Sequence, residues 1–148
     1  MTSHEYATGL TCAGRTTGYD SYGRRHDMTL GPTSLALSAD AAFHGDGALP
    51  NPEQLLVAAA SSCQLLSFLA VAALGGVEVR EYRDDAIGVM DDTARPMRLT
   101  AIVLRPRIVV TGATPARVVR LLRKAHEQCY VANSLTTSIT LEPVIEVV

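Results

Sequence analysis

Three cysteines, Cys12, Cys63 and Cys129, carry the most distinctive chemistry in this chain. A thiolate attacks weak O–O and S–S bonds, and two thiols brought together can close a disulfide. Three cysteines spread over 148 residues are too few and too dispersed for a disulfide scaffold. In a reducing compartment they rest as thiols, and any disulfide is transient or catalytic. The four histidines, His4, His26, His44 and His126, are scattered, and neither CxxC nor HxxxH spacing occurs. No metal site and no cofactor are expected from that pattern. Taken alone, Cys63 and Cys129 read as small buried hydrophobes, the usual state of a free cysteine.

The elements that must position these thiols follow from composition and periodicity. The length fits one domain, residues 1–148, with 47% hydrophobic residues but no Trp and two Phe, so Ala, Leu and Val build the core. A formal net charge of -2 without single-sign runs gives no electrostatic case for a nucleic-acid or anionic-membrane partner. The first ten residues, MTSHEYATGL, lack the basic and apolar regions of a secretory signal, and a cytoplasmic protein is expected.

Residues up to about Ala48 read as short strands joined by Gly-rich turns, with a hairpin at Met28–Leu30, Gly31-Pro32 and Leu35–Leu37. Asn51-Pro52-Glu53 is a helix start, with Asn as N-cap, Pro at the first position and Glu in the first turn. Leu55 to Leu74 is almost continuously apolar and stops at Gly75-Gly76. Its length approaches a bilayer span, but Ser61, Ser62, Gln64 and Ser67 interrupt it, and a buried central helix is expected instead. Val77 to Val89 and Met97 to Val110 alternate as strands, Pro106 in the second arguing for an edge or a bulge near Arg105. Pro115 to His126 has helical spacing, and Leu135 to Val148 reads as a closing strand containing Pro143. The sum is an α+β fold of two main helices, the central one carrying Cys63, and two groups of strands.

Several segments, in order, carry a family resemblance: YGRRH at 22–26, FHGDGALPNPE at 43–53, NPEQLLVAAASSC at 51–63 and AHEQCYVANSL at 125–135. EYRDDAIGVM at 81–90 and MRLTAIVLRPRIVV at 97–110 fit as well. Together they resemble the OsmC/Ohr family (osmotically inducible and organic hydroperoxide resistance proteins), on its OsmC-like branch. The resemblance runs from about residue 19 to the C-terminus. It implies antiparallel sheets, an intertwined homodimer and a cysteine-based peroxidase that reduces organic hydroperoxides. Cys63 would be the attacking thiol and Cys129 its resolving partner, with an external dithiol, typically on a lipoyl protein, as reductant.

The resemblance also implies a cation at the thiol. A peroxidatic thiol must ionise, and burial alone pushes its pKa upward, so a nearby positive charge is required. Carried over, the Arg is Arg24 and the Glu that holds it through a two-pronged ion pair is Glu53. Adjacent Arg25 leaves that assignment open; in a strand the two would face opposite sides. Glu53 and Cys63 are ten positions apart, roughly 15 Å along a straight helix at about 1.5 Å per residue. Either the helix breaks before Cys63, or Glu53 serves the Cys63 of a partner chain. Gln64 stands where many OsmC-like relatives carry His, and Cys12 is an extra thiol. The competing readings are a Cys63 hydrolase or transferase with a His base, a thiol redox sensor or small-molecule binding protein on the same fold, or an inert structural member of that fold.

Overall fold

A computed structural model describes residues 2–148, and its contacts fall into two compact units, Met1–Leu55 and Leu56–Val148. The first unit is built on a three-stranded antiparallel sheet of β1 (Thr8–Thr11), β2 (His26–Leu30) and β3 (Thr33–Leu37), in that order. β2 and β3 form the expected hairpin, with Leu30 opposite Thr33 across Gly31-Pro32. Gly31 takes a φ of 57°, the left-handed value that a two-residue hairpin loop demands of its first residue. A 3₁₀ turn at Ala41–Phe43 follows, capped by the Asp40 side chain. This loop closes back on itself: the Asp46 amide donates to Ser38 Oγ at 3.0 Å, and the Gly45 amide donates to the Asp40 carbonyl at 3.0 Å.

The first helix, α1 (Pro52–Leu74), begins where the sequence signals it. Asn51 Oδ1 accepts from the Gln54 amide at 2.9 Å, and Gln54 Oε1 accepts from the Asn51 amide at 3.0 Å, a reciprocal capping box. It ends at Gly75-Gly76, where Gly76 adopts a φ of 71° and the Val77 amide returns to the Ala72 carbonyl. The helix is long and apolar enough to cross a membrane by length and composition. Its inner stripe nevertheless belongs to a protein core: Phe68, Val71 and Ala72 pack with Val77, Ile108, Val110, Val118, Leu122 and Ala125. The expectation of burial all round is corrected on the other stripe. Leu66, Leu69, Ala70 and Ala73 are exposed in the single chain, so the apolar surround has only half its cover.

The second unit holds two further three-stranded sheets, and here the expected strands divide. β4 (Glu78–Asp84) and β5 (Ile87–Met90) lie in different sheets, as do β6 (Leu99–Leu104) and β7 (Pro106–Thr111). Pro106 does not mark an edge; it is the buried first residue of β7, the central strand of the order β4-β7-β9. The closing segment also splits, at Pro143, into β8 (Ser138–Leu141) and β9 (Val144–Val147). Both corners fall on proline because it cannot donate to a ladder but can open a strand. β6 pairs with β8, and β7 with β9, in parallel, so the sheets are mixed rather than wholly antiparallel. The Glu142 amide donates to the Leu104 carbonyl at 2.8 Å, carrying this pairing through the corner.

The second helix, α2 (Pro115–Glu127), is capped by Thr114, which accepts from the Arg117 amide. It buries Val118, Leu122 and Ala125 and exposes Arg120, Arg123 and Lys124, as its spacing requires. A one-turn helix, α3 (Tyr130–Asn133), not expected from the sequence, follows directly.

The 40–47 loop offers a sharp packing test. A Cβ at Gly45 would lie 1.8 Å from the Ala39 carbonyl oxygen, whereas one at Gly47 would meet only the Ala41 Cβ, at 3.6 Å. Gly45→Ala is expected to lower urea stability by about 3 kcal/mol, the cost of overpacking against backbone. Gly47→Ala is expected to be neutral or to stabilise by about 0.5 kcal/mol.

Candidate functional site

The fold brings Cys63 and Cys129 together although 66 positions separate them, as their numbers show. Cys63 lies mid-way along α1 and is partly exposed; Cys129, 1% exposed, is the residue that leads from α2 into α3. The two thiols are close enough that Cys63 shifts the ionisation of Cys129. Burial pushes the Cys129 thiol above its ordinary pKa, and the neighbouring Cys63 adds to the rise. Backbone N–H groups of Ala132 and Val131, in α3, act in the opposite direction. The pair thus consists of one thiol open to reagents and one kept protonated behind it.

Cys63 opens into an apolar groove of about 570 Å³, lined by Leu66, Ser67, Ala70, Gln128, Tyr130 and Asn133. None of these lining residues is a cation. Supporting contacts hold α1 from two sides. Ser61 Oγ donates to the Asp84 carboxylate, which also accepts the Arg105 amide at 2.7 Å, tying α1 to the end of β4 and the Pro106 corner. Gln64, fully buried, donates from Nε2 to the Leu122 carbonyl at 3.2 Å and accepts at Oε1 from His126 Nδ1 at 3.0 Å. The Tyr82 hydroxyl is buried without a hydrogen-bond partner. Desolvation raises its pKa, and the charges of Asp84 and Cys129 add to the rise.

Arg24 and Glu53 line a separate space of about 410 Å³ formed within the first 55 residues, together with Tyr22, His26, Phe43 and Arg15. The two-pronged Arg24–Glu53 ion pair expected from the resemblance is not among the ion pairs of the described residues. The guanidinium is occupied elsewhere: Nη1 donates to the Tyr22 carbonyl at 2.7 Å and Nη2 to the Tyr19 carbonyl at 2.6 Å. It also stacks 3.7 Å from the Tyr22 ring centroid. Neither Arg24 nor Arg25 lies in a strand, since β2 begins at His26. They part all the same: Arg24 lines the cavity, while Arg25 is exposed and pairs with Asp27 at 3.3 Å. Cys12 is exposed on the lining of the same cavity.

Residues 45–144 match the family model described as OsmC-like protein. The chain belongs to the OsmC-like family. It is 28% identical in sequence to a solved OsmC-like protein of unknown function from Vibrio cholerae, covering 96% of this chain and 100% of that one, with a TM-score of 0.86. An organic hydroperoxide resistance protein OsmC from Legionella pneumophila shares the fold at a TM-score of 0.68, with 19% identity over 97% of this chain and 99% of that one. The uncharacterised protein YmaD of Bacillus subtilis is 22% identical over 127 residues, 81% of this chain and 85% of that protein.

The motifs single out Cys63, Cys129, Arg24 and Glu53 but give no sign of the residues packed around the Cys63 segment of α1. Gln64 was visible only as a departure from relatives, and His126 only as a residue one turn before Cys129. Tyr82 and Asp84 gave no signal, because their proximity to α1 is created by strand packing. The raised Cys129 and Tyr82 values give this OsmC-like protein a definite pH response. The unfolded chain ionises its cysteines from about pH 8.5, while folded Cys129 still holds its proton, so stability falls as pH rises through that range and on to the folded value. Tyr82 extends the loss above about pH 10. Urea unfolding of the reduced protein from pH 7 to 10 is expected to show this decline, with a shallower slope in Cys129→Ala whatever its baseline stability.

Proposed function

We propose that this OsmC-like chain is a thiol peroxidase that reduces organic hydroperoxides to alcohols. The observation that supports it most is the thiol pair: a partly exposed Cys63, at an apolar groove, close enough to a buried Cys129 to shift its ionisation. The Cys63 thiolate attacks the terminal oxygen of ROOH; an S–O bond forms, the O–O bond breaks, and the departing alkoxide takes a proton to leave as ROH. The Cys63 sulfenic acid then condenses with the Cys129 thiol, closing a disulfide and releasing water. An external dithiol reduces that disulfide and completes the cycle. The apolar lining favours an organic substrate over hydrogen peroxide, and the fold shared with proteins named for organic hydroperoxide resistance agrees with this choice.

The same reading assigns the catalytic cation across two chains. The groove at Cys63 offers no cation among its lining residues, while Arg24 and Glu53 line a cavity of their own. Because α1 is unbroken from Pro52 to Leu74, a helix break cannot shorten the roughly 15 Å between Glu53 and Cys63. A homodimer in which Arg24 and Glu53 of one chain meet Cys63 of its partner supplies the missing charge and covers the exposed apolar stripe of α1. Arg24 would lower the thiol pKa and stabilise charge on the departing oxygen, releasing its carbonyl partners for Glu53 and the substrate.

One equivalent of cumene hydroperoxide added to the reduced protein is expected to consume two thiols, with a Cys63–Cys129 linkage in the peptide map and Cys12 untouched. If Cys63 stays reduced, the peroxidase reading fails; oxidation that a dithiol cannot turn over would mark a sensor. Arg24→Ala is expected to lower kcat/KM by about 100-fold or more, the scale for losing an electrostatic donor, and Arg25→Ala to change it less than about threefold. Mixing inactive Cys63→Ser and Arg24→Ala chains is expected to restore about a quarter of wild-type activity, because half the dimers then carry one intact two-chain site. No restoration after verified subunit exchange would place Arg24 and Cys63 in one chain.

A further inference from the structure

Gln64 is a buried amide in the middle of the apolar core that Phe68 and Leu122 help to build, at 0% exposure. A buried amide is costly unless it is hydrogen-bonded, and here both ends are satisfied. The Leu122 carbonyl can only accept, so it fixes Nε2 on its side and leaves Oε1 to accept from His126 Nδ1. His126 therefore carries a proton on Nδ1 in either charge state. Its own carbonyl accepts the Cys129 amide at 3.2 Å. A continuous chain of bonds thus runs from the residue after Cys63, across the core, to the backbone of Cys129.

The place where this chain attaches matters. α2 ends at Glu127, and its last amides make short-range terminal bonds, Gln128 to Ala125 and Cys129 to His126. A final turn of this kind is the part of a helix with the fewest internal restraints. Closing a disulfide requires the two sulfurs to come to about 2.05 Å of each other. α1 is held along its inner stripe by core packing, so the turn at the end of α2 is the side whose position decides how often the sulfurs meet.

We propose that Gln64 is a positioning residue, holding the last turn of α2 through His126 so that Cys129 stays within reach of Cys63 when the disulfide closes. This rests on the two-cysteine cycle described above but concerns only the closing step, in which Cys129 gives up its thiol proton and Cys63 the leaving group. The hydrogen bonds of Gln64 go to Leu122 and His126 and not to either sulfur. Its effect is on the effective concentration of one thiol against the other.

The test uses the full-length protein carrying Cys12→Ser, so that only two thiols exchange. The Cys63–Cys129 disulfide is equilibrated with glutathione buffers in the wild-type pair, Gln64→Met, His126→Phe and the double variant, each checked for folding by circular dichroism. Gln64→Met keeps the volume and removes both bonds; His126→Phe, at a partly exposed position, carries the test if the core variant does not fold. Each single variant is expected to lower the effective concentration by about tenfold, and the double variant to be no worse than the poorer single, as for two residues of one tether. An unchanged value, within about twofold, in a folded Gln64→Met or His126→Phe overturns the proposal, as do single effects that multiply in the double variant. Failure of the peroxidase reading looks different: a wild-type pair that equilibrates with glutathione yet stays reduced under cumene hydroperoxide retains the tether and loses the peroxidase.

Discussion

An α-helix advances about 1.5 Å per residue and keeps its direction unless a proline, a bulge or an inserted group disturbs it. Nothing within α1 does so; Pro52 stands at its first position and its glycines come only after Leu74. That rigidity sets the terms for the rest of the molecule. Glu53 is committed to the start of the rod and Cys63 to its middle. Under the proposed peroxidase reading, the positive charge at Cys63 would have to come from a direction other than its own helix. The inner stripe of the rod is spent on the core, which leaves the outer stripe, with Leu66, Leu69 and Ala70, as the face where reagents or another protein surface must arrive.

The division between the two cysteines follows from the same geometry. Cys63 lies between the packed and open stripes and is partly exposed, whereas Cys129 is carried in behind it by the end of α2. Desolvation favours the neutral form of the Cys129 thiol, a poor nucleophile, which under the proposed cycle would suit a group acting after its neighbour is oxidised. A pair in which both thiols were open would compete for the same oxidant. A pair in which both were buried would meet none.

The legible parts of the fold were those governed by neighbours in sequence. The hairpin at Gly31-Pro32, the Asn51 cap, the glycine stop after Leu74 and the amphipathic α2 each rest on backbone conformation or period within a few residues, and each was found where expected. The parts that resisted depend on partners far along the chain. Met97–Val110 and Leu135–Val148 carry strand residues on both sides of Pro106 and Pro143, and no local signal says whether a proline bends a strand within one sheet or hands it to the next. The parallel pairing of β6 with β8 and β7 with β9 is likewise a tertiary choice. For α1, an apolar surround reads as burial on every side, because a sequence cannot distinguish surface covered by its own chain from surface left for something else.

The site divides along the same line. Cys63, Cys129, Arg24 and Glu53 stood out through motifs, yet the motifs were silent on geometry: Arg24 is held by the carbonyls of Tyr19 and Tyr22 rather than by Glu53. That arrangement has a physical logic. A guanidinium bonded to two carbonyls and stacked on an aromatic ring is well placed but not neutralised, since those partners are dipoles and a π face rather than an anion. Its charge remains available to whatever enters the cavity. An Arg already locked in a bidentate pair with Glu53 would present a nearly cancelled field and would have to surrender part of that pair before it could lower a thiol pKa. The arrangement seen in the single chain is therefore the more receptive of the two to an anion entering the cavity.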